Sequence, residues 1–233
     1  MPQKTKDIPY HIGLIVDGNR RWARAKGLPA FEGHRRGYEK LKEVGKWCKE
    51  KGVKILTVYA FSTENWNRSK EEVSYLMRLL ERALSGREID KFHKEGIKLQ
   101  VIGQKERLAK SLQEVIKKAE EKTKNNEEGV FILAISYGGY VDITEAIKKI
   151  VRKKIPPEKI TEELVNQNLW TAGLPYPDLI IRTSGEQRLS GFLTWQSAYS
   201  ELYFCKKHWP DFSEKDLDEA LEDYSHRQRR FGK

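Results

Sequence analysis

Two cysteines in 233 residues, Cys48 and Cys205, cannot make a disulfide framework, and no CxxC pair occurs. The five histidines include no HExxH. Neither a disulfide scaffold nor a structural zinc site is expected, and a reducing cytoplasm is the expected compartment. Long apolar runs are also missing: the longest is Val130–Ile135, against about 20 residues for a membrane span. Met1–Asp7 has no apolar stretch, so no signal peptide is expected. No GxxxxGK[ST] loop is present, which disfavours an ATPase. Acidic excess is absent as well. Lys and Arg number 44 against 34 Asp and Glu, a formal charge of +10. That charge suits nucleic acid, anionic lipid or phosphorylated metabolites alike, and general solubility explains it equally well. Six Trp, ten Tyr and eight Phe exclude a disordered chain. The length suits one domain or at most two.

What is present is an alternation. Apolar, β-branched runs at Ile12–Val16, Ile55–Phe61, Lys98–Ile102, Val130–Ser136, Asp178–Arg182 and, more weakly, Leu202–Cys205 suit strands buried on both faces. Between them, apolar residues recur at three and four. One set is Tyr38, Leu41, Val44, Trp47 and Cys48, ending at Gly52; a second runs from Val73 to Leu84. Further sets run from Leu108 to Ala119 and from Ile143 to Val151. Ser213 is a good N-cap for a last helix over Glu214–Arg229, with Asp216 at its third position. Strands alternating with helices predict a mainly parallel sheet in an α/β domain. No linker divides the chain, so residues 1–233 read as a single domain with tails at 1–10 and 226–233. Lys122–Gly129 and Ile155–Pro157 read as surface loops.

In open α/β sheets ligands bind beyond the carboxyl ends of the strands, and four polar segments fall there or nearby. In His11–Trp22 (HIGLIVDGNRRW), a buried strand delivers Asp17 to its end, Gly18 and Asn19 turn the chain, and Arg20, Arg21, Trp22 and Arg24 open a helix. Such a segment suits phosphate, with a divalent cation between phosphate and aspartate. A β-turn before a solvated basic helix is an equally good description. In Tyr59–Arg68 (YAFSTENWNR), Ser62, Thr63, Glu64 and two asparagines exceed what a cap needs, although capping by Ser62 or Thr63 with Trp66 in the core is the simpler alternative. In Asp178–Ser190 (DLIIRTSGEQRLS), two arginines and two serines suit a second diphosphate cradle. Glu201, in the otherwise apolar Trp195–Phe204 (WQSAYSELYF), needs a cation or an Arg, and a structural ion pair satisfies it equally. Together these segments suit two phosphorylated ligands and one Mg²⁺. A haloacid-dehalogenase phosphatase is disfavoured, because Asn19 stands where its second Asp belongs.

HIGLIVDGNRRWA, GHRRG (Gly33–Gly37), YAFSTENWNR, YGG (Tyr137–Gly139), the long stretch from Asp178 to Phe204 and WPDF (Trp209–Phe212) resemble the cis-prenyltransferases, most of all the undecaprenyl diphosphate synthases. The motifs run in family order over nearly the whole chain, and no DDxxD of the trans enzymes is present. The resemblance implies repeated addition of isopentenyl diphosphate to an allylic diphosphate such as farnesyl diphosphate. It implies a six-stranded, mostly parallel sheet flanked by helices, a hydrophobic tunnel and a homodimer. Asp17 would be the central catalytic carboxylate and an Mg²⁺ ligand. Gly18, Asn19, Arg20, Arg21 and Trp22, with His34 nearby, would hold the allylic diphosphate. Asn65 would take part in proton removal, with Ser62, Thr63, Glu64, Trp66 and Arg68 completing that region. Arg182, Arg188, Leu189 and Ser190 would cradle isopentenyl diphosphate. Glu201 would be the second metal ligand, reached from the neighbouring subunit in some members, and Arg230-Phe231-Gly232 fits the family's RxG tail.

Three departures stand out. Arg20 replaces a common Gly, Ala30 replaces a common Arg for which Arg24 or Arg35 could compensate, and Ser136 and Tyr140 flank YGG where Asn and Arg are common. Two other classes compete with the enzyme: a non-catalytic subunit of the same fold, and a basic nucleic-acid-binding protein. The first class loses the metal-binding Asp and substrate arginines, all present here, and no nucleic-acid motif supports the second. The lysines on helical faces serve solubility and suit peripheral contact with an anionic membrane that receives a lipid product.

Overall fold

All six anticipated strands form, and every pairing between them is parallel. The strands are β1 (His11–Ile15), β2 (Ile55–Ser62), β3 (Ile97–Ile102), β4 (Gly129–Tyr137), β5 (Leu179–Arg182) and β6 (Glu201–Phe204), in the order β3-β4-β2-β1-β5-β6. Among the described residues eight α-helices accompany them: α1 (Asn19–Ala25), α2 (Ala30–Glu50), α3 (Lys70–Ala83), α4 (Gly86–Lys94), α5 (Lys110–Thr123), α6 (Gly139–Arg152), α7 (Glu162–Asn166) and α8 (Glu214–His226). The computed structural model describes residues 8–227, so the Arg230-Phe231-Gly232 tail lies outside the described residues. No helix among the described residues is long and apolar enough to cross a membrane.

The near-continuous apolar strands follow from burial on both faces. Successive side chains point to opposite faces, and the core divides accordingly. Ile12, Leu14, Leu56, Val58, Phe131, Leu133 and Ile181 join one cluster with residues of α2, α3, α5 and α8. Ile15, Ile55, Tyr59, Ile132, Ala134 and Ile180 join a second with Phe192 and Leu193. Gly13 belongs to that second face, where a Cβ would lie 2.9 Å from the Phe192 ring. The edge strand β6 is only half-buried throughout, which is why its sequence signal is weak.

The cap predicted at Ser213 is a full capping box, with Ser213 N donating to Asp216 Oδ2 at 2.7 Å. Two helices have no counterpart in the periodicity. α4 has just two apolar residues, Ile89 and Phe92, in nine, and α7 is five residues long. Leu108 precedes α5 rather than opening it.

Candidate active site

After β1 the chain moves to β2 on one side, whereas β5 lies on the other, so the connections diverge at the β1–β5 crevice. Such a switch point is where open α/β sheets bind ligands. Asp17 leaves β1 there and Thr183 leaves β5. Thr183 Oγ1 and Trp209 N both donate to the Asp17 carbonyl, at 2.7 and 3.0 Å. Gly18 has φ +103°, and a Cβ there would lie 2.7 Å from both Ser184 Oγ and His208 Nδ1. Those two atoms share a hydrogen bond of 2.6 Å. Only glycine fits this turn without displacing them.

The Asp17 carboxylate is gripped through Oδ2, by Arg182 Nη2 at 2.8 Å and Arg21 Nη2 at 3.1 Å. Burial pushes its pKa up, but the two guanidiniums outweigh burial and hold the carboxyl below its ordinary value. Arg182, whose side chain is 5% exposed, also donates to Ser190 Oγ at 2.8 Å and to the Arg188 carbonyl. Arg188 itself is 60% exposed and pairs with Glu186, which also receives Arg21 Nη1 at 2.9 Å. Arg182 and Ser190 are thus built into the fold, while Arg188 and Arg21 reach outward and are joined by Glu186. Leu189 packs against the second core cluster.

The expected allylic-diphosphate residues gather on the other side of Asp17. Asn19 rests against α2 at Gly33 and Gly37, the glycines of GHRRG; a Cβ at Gly33 would meet the Asn19 carbonyl oxygen at 2.1 Å. Trp22 is buried and donates to Asp211 of WPDF at 2.8 Å, a contact that anchors α1. His34, Arg68 and Arg20 converge on Glu72. His34 Nε2 donates to Oε1 at 2.9 Å, Arg68 Nη1 donates to Oε1 at 3.0 Å, and Arg20 Nε lies 3.7 Å from Oε2. Burial raises the Glu72 pKa, but His34 and Arg68 outweigh it and the carboxylate stays ionised. Burial also lowers the His34 pKa.

Within Ser62–Arg68, the capping description is correct locally. Ser62 caps a 3₁₀ turn over Thr63–Asn67, and Asn65 Oδ1 accepts from Ser62 N at 3.1 Å. Trp66 packs edge-on against Phe61 and donates to Ser136 Oγ at 2.9 Å; Thr63 Oγ1 bonds to exposed Glu64. Of the two arginines that could stand in for Ala30, Arg24 reaches the cavity described next, whereas Arg35 is paired twice with Glu32.

A cavity of about 1220 Å³ opens at Asp17, Asn19, Arg20, Arg21, Asn65 and Arg68 and runs beneath the first face of the sheet. Apolar side chains form much of its wall, among them Leu41 of α2, Leu76 and Leu80 of α3, and Leu56, Phe131 and Leu133 of the sheet, while charged residues such as Lys49, Lys54, Lys91 and Glu95 line it as well. Glu201 is not in this constellation. It opens β6 opposite Leu179, three residues behind the level of Arg182, or about 10 Å back along the strand. Its Oε2 accepts from Arg227 Nη1 at 2.8 Å, so within one chain the ion-pair description applies.

Among the described residues no three His, Cys, Asp or Glu side chains come together as a metal site. Asp17 offers a hard oxygen donor at the strand end, beside Arg21 and Arg182. That donor set fits Mg²⁺ in the form it commonly takes beside phosphates, with one or two carboxylates and the rest of the shell from phosphate and water. Two residues of this region escaped sequence reasoning. Glu186 lies within the Asp178–Ser190 segment, where its spacing gives it no evident partner. Glu72 carries two local signals, its i,i+4 spacing from Arg68 and its place three residues after Ser69, and neither points to His34 or Arg20.

Comparison with known proteins agrees with this geometry. The sequence profile of the family described as "Putative undecaprenyl diphosphate synthase" matches residues 15–232. The isoprenyl transferase of Thermotoga maritima is 48% identical over 227 residues, covering 97% of each chain. The tritrans,polycis-undecaprenyl-diphosphate synthase (geranylgeranyl-diphosphate specific) of Methanocaldococcus jannaschii is 47% identical over 234 residues, covering 97% of this chain and 84% of that one. The crystal structure of lavandulyl diphosphate synthase from Lavandula x intermedia, in complex with dimethylallyl diphosphate, superposes with a TM-score of 0.92 at 40% identity, covering 97% of this chain and 99% of that one. With a parallel six-stranded sheet, an arginine-rich switch point and an apolar cavity beneath it, the chain belongs to the undecaprenyl diphosphate synthase family of cis-prenyl chain-elongating isoprenyl transferases.

Proposed function

We propose that this isoprenyl transferase condenses isopentenyl diphosphate repeatedly onto an allylic diphosphate, with farnesyl diphosphate as primer, to give a long-chain cis-polyprenyl diphosphate such as undecaprenyl diphosphate. The observation that carries the reading is the joining of an arginine-lined end to a large cavity walled in good part by apolar side chains. A charged head group and a growing hydrocarbon tail are what such a space accommodates. Burying one more five-carbon unit yields up to about 4 kcal/mol, so the tail is held firmly and product release is slow.

In each condensation the allylic carbon–oxygen bond breaks, and its electron pair leaves with the diphosphate. The double bond of isopentenyl diphosphate supplies the pair for the new carbon–carbon bond. A proton then leaves the adjacent carbon, restoring an alkene of cis geometry. Arg20, Arg21 and Arg68, with His34 nearby, would meet the charge that grows on the leaving diphosphate, which is preferential binding of the transition state. Arg182, Arg188 and Ser190 orient isopentenyl diphosphate on the opposite side of Asp17. Asn65 is a poor base; with its carbonyl engaged by Ser62 N, its amide nitrogen would hold a water or diphosphate oxygen that takes the proton. Mg²⁺, held by Asp17 and diphosphate oxygens, would further neutralise the leaving group.

The same reading includes a cytoplasmic homodimer in peripheral contact with the membrane that receives the product. Tyr140, Ile147 and Val151, spaced along α6 and 78%, 51% and 66% exposed, support a partner surface. A second chain would also give Glu201 a route to the metal. Chromatography of products made from labelled isopentenyl diphosphate with farnesyl or geranylgeranyl primer tests elongation. A ladder of long products is expected, and a single-addition product alone would refute it. Sedimentation at equilibrium tests the dimer.

A further inference from the structure

We propose that Glu72 is a positioning residue for the allylic diphosphate: it is the anion around which Arg20, His34 and Arg68 are assembled, and it fastens that head-group site to the wall of the apolar cavity. The proposal rests on the transferase reading above.

Glu72 sits in the first turn of α3 and is 7% exposed. Ser69 caps that turn, its Oγ accepting from Glu72 N at 3.3 Å. A Ser followed three residues later by Glu is the pattern in which the Glu side chain returns to the cap. Here the carboxylate turns inward instead and takes contacts from three parts of the chain: Arg20 of α1, His34 of α2, and Arg68 just before α3. A carboxylate so deeply buried is costly unless it is paired, and His34, Arg20 and Arg68 all line the mouth of the cavity.

The charge balance gives the cluster its purpose. Two guanidiniums against one carboxylate leave a net positive charge at the cavity mouth, with buried His34 disposed to be neutral. Without Glu72, two guanidiniums would repel each other across the site and His34 would lose its acceptor. With Glu72, they are held close together in an arrangement that an incoming diphosphate can share. From the same turn α3 runs on to Leu76, Leu79, Leu80 and Ala83, which wall the cavity. One side chain therefore ties the head-group site to the lining of the tail site.

A purely structural ion pair would predict a lower melting temperature and similar damage to both substrates. The positioning role predicts selectivity. In steady-state assays with farnesyl diphosphate as primer, Glu72→Gln is expected to raise the primer KM at least tenfold, with the KM for isopentenyl diphosphate within twofold and the melting temperature within a few degrees of wild type. On an Arg68→Gln background the same change should add less than twofold, since coupled residues are not additive. A primer KM within threefold of wild type, a parallel rise in both KM values, or full additivity with Arg68→Gln would overturn the proposal. If Glu72→Gln does not fold, Glu72→Asp keeps the charge one methylene further back and should still raise the primer KM threefold or more, selectively; an unselective or absent change overturns it. Wild type assayed alongside separates the two claims. An inactive wild type refutes the transferase reading, while an active one without the selective shift refutes the role of Glu72.

Discussion

A methyl group at Gly33 offers the sharpest test of how the site is built, because two effects predict opposite signs. Gly33 lies inside α2, where Ala is favoured over Gly by about 1 kcal/mol on helix propensity alone. Yet a Cβ at Gly33 would sit 2.1 Å from the backbone oxygen of Asn19, well inside the 3.0 Å that real Cβ atoms respect. The obstacle is backbone, so no rotamer change relieves it, and α1 has to withdraw by about 1 Å. Overpacking of this kind costs about 1–3 kcal/mol, and a backbone clash belongs at the upper end or beyond. The clash wins, for a net loss of about 2 kcal/mol, and a chain of this size should melt roughly 4–8 °C lower. Activity should suffer more than stability, because a displacement of about 1 Å at a positioning element can cost about 100-fold. Gly45 is the internal control. It lies on the same helix with nothing within 4 Å of its Cβ position, so Gly45→Ala should gain about 0.5–1 kcal/mol. Calorimetry and primer KM on the two variants decide the matter. If Gly33→Ala melts at or above the wild-type temperature with an unchanged primer KM, then the close approach of α1 to α2 is not what places Asn19.

Further outcomes follow from the same geometry. Asp17→Ala should reduce incorporation of labelled isopentenyl diphosphate by on the order of 100- to 1000-fold or more, while the fold survives because Arg182 keeps Ser190 Oγ and the Arg188 carbonyl as acceptors; near wild-type turnover would exclude a central role for Asp17. The Asp17 pKa in the folded chain lies below its ordinary 3.8, because the Arg182 and Arg21 contacts outweigh burial. The stabilisation is therefore fully present above that ordinary value and is lost as pH falls through the folded value. Arg182→Gln removes the larger pull, so the acid limb of the melting-temperature profile should move to higher pH, and an unmoved limb would contradict the pairing. Ala83 lines the cavity, so Ala83→Leu should shift the chromatographic product ladder to shorter chains; an unaltered ladder would mean the tail does not pass along α3.

Much of the architecture was legible because it is local. Burial on both faces writes itself as unbroken apolar runs, so all six strands could be located, including the weak edge strand β6. The cap at Ser213 was readable from four consecutive residues. Asp17 was recognisable as a strand-end carboxylate beside arginines, but composition and spacing did not exclude a plain turn before a basic helix. The long motifs in family order identified the chemistry. α4 escaped because Ile89 and Phe92 are too few to make a periodic signal. Asn65 was read for chemistry, whereas its carbonyl also closes the cap of its own turn.

The sequence by itself therefore determined the six strands and the longer helices, the end of the sheet at which a site must lie, and the family. Tertiary structure alone decided how the charged residues are shared out. Arg182 is buried against Asp17 while Arg188 stays in solvent, and Glu186 joins the exposed arginines. Glu201 meets Arg227 rather than Asp17 within one chain. Glu72, which the local pattern would assign to a helix cap, serves His34 from 38 positions away. The physical reason is that periodicity and capping are set by neighbours within a few residues, whereas the pairing of a buried charge depends on which distant side chains the topology brings within about 3 Å.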